Sequence, residues 1–88
     1  MTLSEATVRM FIDRWVRAHV AAAAALELPP SRNLIADGVI DSLGFLNLVG
    51  ALETEFAVEL DFGDREPEEF TTVGGLSGVV VASGGRGA

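Results

Sequence analysis

The residue best placed for chemistry in this chain is a serine that begins a predicted helix. Asp41, Ser42 and Leu43 follow an aliphatic segment and precede a run of apolar residues at helical spacing. Asp41 suits the N-cap position, which makes Ser42 the first helical residue. Helix starts have unpaired backbone N–H groups and the positive end of the helix dipole, and both favour a phosphodiester. The pattern predicts an exposed hydroxyl in surroundings that suit a phosphate ester.

Nothing in the sequence supplies a base for this serine. A serine hydroxyl is a poor nucleophile unless a base activates it. The single histidine, His19, falls on the core-facing stripe of the first predicted helix, and we interpret it as a partly buried or rim residue. An alternative treats residues 40–43 as a hydrolase-like serine motif, which would need a histidine and an acid beside Ser42. We therefore expect a non-catalytic protein in which Ser42 is the substrate of another enzyme.

The sequence predicts no metal site. It contains no cysteine and one histidine, so a zinc site built from His and Cys ligands is excluded. The acidic segment 61–66 lacks the ligand spacing of a calcium loop, and we interpret it as a solvated turn. Trp15 is interpreted as a core residue of the first helix.

Charge is distributed unevenly along the chain. The net charge is −7, but residues 1–32 hold four arginines against three acidic residues, whereas residues 33–88 hold ten acidic residues against two arginines. An acidic surface repels nucleic acid and anionic lipid and attracts basic protein surfaces. We expect protein partners, no nucleic acid and no membrane. The alternative is that the acidic residues only keep the domain soluble.

Hydrophobic spacing predicts a first helix followed by a long loop. The first helix covers residues 3–23, with Thr2 and Glu5 as a capping box at its start. Residues 29–40 contain Pro, Asn and Gly and form a connection. A loop of this length in so small a domain must be held in place. We expect three of its aliphatic residues to enter the core: Leu34, Val39 and Ile40.

Three further helical segments are predicted. The second helix covers residues 42–56, and its inward stripe is formed by Phe45, Leu48, Val49, Leu52 and Phe56. A polar turn separates it from a short helix that begins at Pro67. Thr71 or Thr72 caps the last helix, which its glycines at 74, 75 and 78 weaken.

The chain length allows one hydrophobic core. We predict a single domain over residues 1–82 and a disordered tail over residues 83–88. The first residues lack the basic start of a signal peptide, and the apolar run at residues 20–26 is far shorter than a membrane span. A soluble, unprocessed, cytoplasmic monomer is therefore expected.

The segment 38–46 resembles the phosphopantetheine attachment motif of acyl and peptidyl carrier proteins. Asp-Ser-Leu alone occurs by chance in many proteins, but the similarity covers most of residues 26–80 in the right order and at the right separations. The resemblance implies an all-α, four-helix carrier bundle of three longer helices and one short helix, with a long first loop. It also implies a 4'-phosphopantetheine group, derived from coenzyme A and attached to Ser42, that holds cargo as a thioester.

The same resemblance implies the partners and a docking face. A phosphopantetheinyl transferase would modify Ser42 with the help of Asp41, and a cargo-loading ligase or acyltransferase and synthase or condensing enzymes would follow. The residues expected to bind these partners are Leu43, Leu46, Asn47, Gly50 and Glu53.

The expected pathway follows from departures on this face. Gly44, Asn47 and Gly50 occupy positions that are often acidic or bulky in fatty acid synthesis carriers. We therefore favour a discrete carrier in polyketide, nonribosomal peptide or related aminoacyl biosynthesis. The alternative is an acidic helical adaptor protein without a prosthetic group.

Overall fold

The computed structural model of the chain describes residues 3–21, 26–63 and 65–86. Three α-helices follow one another in this part: α1 (Glu5–His19), α2 (Ser42–Phe56) and α3 (Val73–Arg86), with a 3-10 helix at Pro67–Glu69 before α3. The described residues contain no β-strand, only one isolated antiparallel bridge between Asn33 and Thr72. The all-α bundle with a long first loop is therefore confirmed.

Helix α1 is shorter at both ends than the sequence predicted. Its N-cap is Ser4, whose hydroxyl accepts a hydrogen bond from the Thr7 N–H, in place of the predicted Thr2 capping box; Thr2 lies outside the described residues. The helix ends at His19 because Val20 adopts extended backbone. The Arg17 guanidinium holds the returning chain by donating to the Leu26 carbonyl at 2.7 Å.

One hydrophobic core joins the three helices and the loop. Helix α1 packs against α3. Buried aliphatic and aromatic side chains come from the three α-helices and the loop: Val8, Ile12, Val16, Phe45, Leu48, Leu52, Val73, Leu76 and Val80 from the helices, and Leu34, Val39 and Ile40 from the loop. The predicted entry of the three loop residues into the core is confirmed.

Asn33 fixes the path of the first loop. Its side-chain nitrogen donates to the Thr71 hydroxyl at 2.9 Å, and its side-chain oxygen accepts hydrogen bonds from the backbone of Ile35 and Ala36. The Leu34 N–H donates to the Thr71 carbonyl at 2.8 Å. The loop is therefore attached to the segment that begins α3.

Helix α3 continues past the residue at which a tail was predicted to begin. Thr72 is its cap, since the Thr72 hydroxyl accepts from the Gly75 N–H at 2.9 Å. The helix runs to Arg86, into the segment 83–88 for which a tail is predicted, and residues 87 and 88 lie outside the described part. The domain boundary at residue 82 stays a prediction. Ser83 is buried, and the backbone of Gly84 lies against the Leu3 side chain. Packing against the start of the chain extends the helix.

Candidate functional site

The start of α2 exposes Ser42 and supports it with a capped helix. Asp41 has extended backbone, and its side-chain oxygen accepts a hydrogen bond from the Gly44 N–H at 2.7 Å. The Asp41 carbonyl accepts from the Phe45 N–H at 2.9 Å, which closes the first helical turn. Ser42 is exposed as the first residue of the helix. The predicted N-cap is confirmed.

Buried residues directly before this serine hold it at a fixed place on the surface. Gly38 has a φ of +72°, which permits the turn that returns the loop toward α2. Val39 and Ile40 then enter the core, and the Ile40 N–H donates to the Leu34 carbonyl at 3.0 Å. The chain therefore passes directly from the buried residues Val39 and Ile40 to the exposed residues Asp41 and Ser42.

Two backbone donors next to the serine are open. The N–H groups of Ser42 and Leu43 donate no hydrogen bond within the described residues, because the carbonyl groups four residues before them lie outside the helix and the Asp41 carboxylate bonds to Gly44. Such donors, together with the helix dipole, stabilise a negatively charged group at a helix start. The arrangement suits a phosphate ester on the serine oxygen.

His19 is exposed, so the prediction that it lies on the core-facing stripe of the first helix is wrong. It is the last residue of α1, at the point where the chain leaves the helix. Its ring stacks on that of the half-buried Trp15, with centroids 4.1 Å apart and planes 18° apart. Its Nδ1 lies 2.8 Å from the Trp15 carbonyl oxygen. In the described part of the chain, no hydrogen bond joins His19 to Ser42.

A groove of about 610 Å³ lies between the end of α1 and the start of α2. It is lined by residues from both helices and from the loop: Trp15, His19, Val20, Val39, Ile40, Asp41, Gly44 and Asn47. The sequence analysis missed this groove because its walls are far apart in the chain. One local signal was present, since Trp15 and His19 are four residues apart and so share a helix face.

The predicted partner face divides into two parts. Leu43 and Leu46 are 66% and 65% exposed, and Asn47 and Gly50 are exposed beside them. Spacings of three, four and seven residues place these four on one face of α2. Glu53 differs, since it is half-buried and its carboxylate accepts a hydrogen bond from the Leu60 N–H at 2.9 Å.

The acidic residues near and beyond the site are open to partners. The two ion pairs within the described residues join Arg17 to Asp13 and Arg32 to Asp37, both on the N-terminal side of Ser42. The described acidic residues from Asp41 onward form no ion pair. Their charge is therefore available to a basic surface.

The described residues include no cluster of acidic, histidine or cysteine side chains that could hold a metal ion. None of the helices in the same part is both long and apolar enough to cross a membrane.

Comparison with known proteins gives one match. A family model described as phosphopantetheine attachment site matches residues 14–80, which include α2, the first loop and most of the groove-forming end of α1. No curated protein and no solved structure matched the chain significantly.

Proposed function

The chain belongs to the phosphopantetheine attachment site family of acyl and peptidyl carrier proteins, and we propose that Ser42 is the residue that carries the prosthetic group. Members of this family carry 4'-phosphopantetheine, are generally non-catalytic, and interact with phosphopantetheinyl transferases and synthase enzymes. The observation that supports Ser42 is its exposure as the first residue of α2, beside two open backbone donors.

The residues at the start of α2 fit this group. The Ser42 hydroxyl makes no hydrogen bond within the described residues and is free to react. A transferase would join the Ser42 oxygen to the phosphorus of the phosphopantetheine portion of coenzyme A, breaking the pyrophosphate bond. Adenosine 3',5'-bisphosphate would leave, and the hydroxyl proton would pass to a base of the transferase. The bound group supplies a terminal thiol that holds cargo as a thioester.

Asp41 is proposed to serve both the fold and the transferase. One carboxylate oxygen caps α2 through the Gly44 N–H. The carboxylate is exposed beside Ser42, so its charge is accessible to a protein that approaches the serine. Structural and recognition roles can coexist, since capping occupies one oxygen.

The proposed pathway is polyketide, nonribosomal peptide or related aminoacyl biosynthesis, with the carrier in the cytoplasm. Gly44, Asn47 and Gly50 leave the face beside Ser42 without acidic side chains, unlike the pattern of fatty acid synthesis carriers. Leu43 and Leu46 would dock on a cargo-loading ligase or acyltransferase and on condensing enzymes, since exposed apolar side chains gain most from burial at an interface.

Intact-mass measurement tests the attachment site. The purified chain is incubated with coenzyme A, magnesium and a broad-specificity phosphopantetheinyl transferase. We expect one phosphopantetheine adduct on the wild-type chain and on Ser31→Ala, which removes an exposed serine of the loop, and none on Ser42→Ala. Absence of the adduct on the wild type, or its persistence on Ser42→Ala, overturns the proposal.

The exposed leucines also support a second candidate, an acidic adaptor without a prosthetic group. Leu43 and Leu46 could bind a protein whether or not Ser42 is modified. In that case Ser42→Ala would leave partner binding intact while Leu46→Arg would weaken it. For a carrier, both substitutions reduce the transfer of cargo.

A further inference from the structure

We propose that the groove between the end of α1 and the start of α2 is a docking site for the phosphopantetheine arm of this chain. Its aromatic wall is the stacked pair Trp15 and His19, and its polar side chains are His19 and Asn47, with the Asp41 carboxylate at the edge next to Ser42. The inference rests on the proposed attachment at Ser42. It adds a defined resting position for the arm on the carrier itself.

The position of the groove favours a tethered occupant. Asp41 and Gly44 both line the groove, and Ser42 lies between them in the chain. A group attached at Ser42 therefore starts at the edge of the groove. Tethering gives a short flexible arm an effective concentration in roughly the millimolar range, so weak contacts are enough to hold it.

The hydrogen bond of His19 leaves an acceptor in the groove. A backbone carbonyl oxygen can only accept, so the Nδ1 of His19 must donate to the Trp15 carbonyl across their 2.8 Å separation. In neutral imidazole the other nitrogen, Nε2, then carries a lone pair. Because His19 lines the groove, this lone pair can accept a hydrogen bond from an amide N–H of the arm.

Asn47 supplies the complementary partner. Its side chain is exposed and makes no hydrogen bond within the described residues, so its NH₂ group and its oxygen are both open. The phosphopantetheine arm contains two amide groups, and each presents one N–H and one carbonyl oxygen. His19 on one wall of the groove and the Asn47 amide on the other therefore match the N–H groups and carbonyl oxygens of the arm.

The apolar parts of the groove suit the rest of the arm. Trp15 presents an aromatic surface, while Val39 and Ile40 contribute aliphatic surface from the loop. Gly44 keeps the groove open next to Ser42, since a Cβ there would lie 3.2 Å from the Asp41 Oδ1 and 3.3 Å from the Ile40 Cβ. The branched dimethyl group of the arm is apolar and can pack against these residues.

Nuclear Overhauser contacts in the holo protein test the docking site. The chain is loaded with phosphopantetheine, loading is established by intact mass, and contacts are recorded from the arm's dimethyl protons. We expect contacts to the Trp15 ring and to the Asn47 side-chain NH₂, with shifts of both signals between the apo and holo forms. A fully loaded chain without these contacts, or with contacts to α3 instead, overturns the docking site and leaves the attachment proposal standing.

A pair of double variants separates docking from folding. His19→Ala with Asn47→Ala, brought to complete loading as established by intact mass whatever its rate, should lose the contacts to Trp15, because the two polar anchors are removed. The matched control is Arg14→Ala with Thr54→Ala, which truncates one exposed side chain on each of the same two helices outside the groove lining. Equal contacts in both double variants contradict the proposal. Failure of the wild type to load at Ser42 removes the attachment proposal and the docking site with it.

Discussion

At the scale of the residue, Asp41 has two roles that substitution can separate, one as a helix cap and one as a charge beside Ser42. Its carboxylate caps α2, and its charge lies beside the proposed attachment point. Asparagine caps a helix about as well as aspartate but carries no charge, whereas alanine does neither. The two substitutions therefore distinguish what the fold requires from what the transferase recognises.

We predict that Asp41→Ala lowers the free energy of unfolding by about 1 kcal/mol and that Asp41→Asn changes it by only a few tenths. Both should slow phosphopantetheine loading, because both remove the carboxylate. Urea denaturation measures the change in the free energy of unfolding. The time course of the phosphopantetheine adduct in intact-mass spectra measures the rate of loading. Loading of Asp41→Asn at the wild-type rate would show that the charge plays no part in recognition.

Local residue patterns predicted the start of the site but not its neighbours. Asp41 and Ser42 were found because a cap and the first helical position depend only on nearby sequence. The exposed position of His19 was missed; His19 is the last residue of α1, and the chain leaves the helix at Val20. Contacts between residues distant in the chain leave no periodic signal in the sequence.

At the scale of the element, the glycines of α3 are not equivalent. The sequence analysis treated them alike, as residues that weaken the helix. In the structure, a Cβ on Gly75 would overlap the carbonyl of Glu69 in the 3-10 helix, whereas a Cβ on Gly78 would meet no atom within 4 Å. Gly75 therefore allows the 3-10 helix to approach α3, and Gly78 has no such contact.

We predict opposite effects for the two alanine substitutions. Gly78→Ala should raise the free energy of unfolding by about 0.5–1 kcal/mol through helix propensity. Gly75→Ala should lower it by about 1–3 kcal/mol, because the backbone must shift to admit the methyl group. Urea denaturation of both variants provides the comparison, and stabilisation by Gly75→Ala would contradict the close approach described here.

The Asn33 side chain holds the first loop in place, and its removal should lower the free energy of unfolding measurably. Asn33→Ala removes three hydrogen bonds, of 2.9, 3.1 and 2.8 Å. Each hydrogen bond contributes roughly 0.5–1.5 kcal/mol, and the substitution leaves a buried or half-buried partner unpaired. We therefore expect the free energy of unfolding to fall by about 2–3 kcal/mol. Ser31→Ala, two residues earlier and exposed, serves as the control and should change stability little. Equal stability of the two variants in urea would contradict the anchoring role.

Both ends of α2 and the start of α3 were predicted correctly, while both ends of α1 differ from the prediction. The cap and inward stripe of α2 lie within one segment, so the sequence contains all that defines it. The end of α3 depends instead on the packing of Gly84 against Leu3, at the opposite end of the described chain. The fold class follows from periodicity, whereas these helix ends follow from tertiary packing.

At the scale of the whole molecule, acidic residues without ion-pair partners and exposed leucines both occur in the chain from Asp41 onward. The described acidic residues from Asp41 onward have no ion-pair partner. Among the described residues, three large apolar side chains are strongly exposed: Leu43 and Leu46 lie in the first two turns of α2, and Met10 lies in α1. A partner that combines basic residues with an apolar contact would suit this part of the chain.

The comparison between Leu46 and Met10 tests whether the exposed leucine serves docking. They are 65% and 64% exposed, so arginine substitution at either position costs the fold little. Met10 lies about 13 Å along the axis of α1 from His19, at a rise of about 1.5 Å per residue. We predict that Leu46→Arg lowers kcat/KM of the transferase for this chain roughly tenfold, equivalent to about 1.4 kcal/mol of lost docking energy, while Met10→Arg leaves it unchanged. Loading kinetics at fixed ionic strength measure both, with circular dichroism to establish that each variant is folded. If the two variants load equally, the exposed leucine of α2 contributes nothing specific, and recognition by the transferase must depend on Ser42, Asp41 and the acidic charge alone.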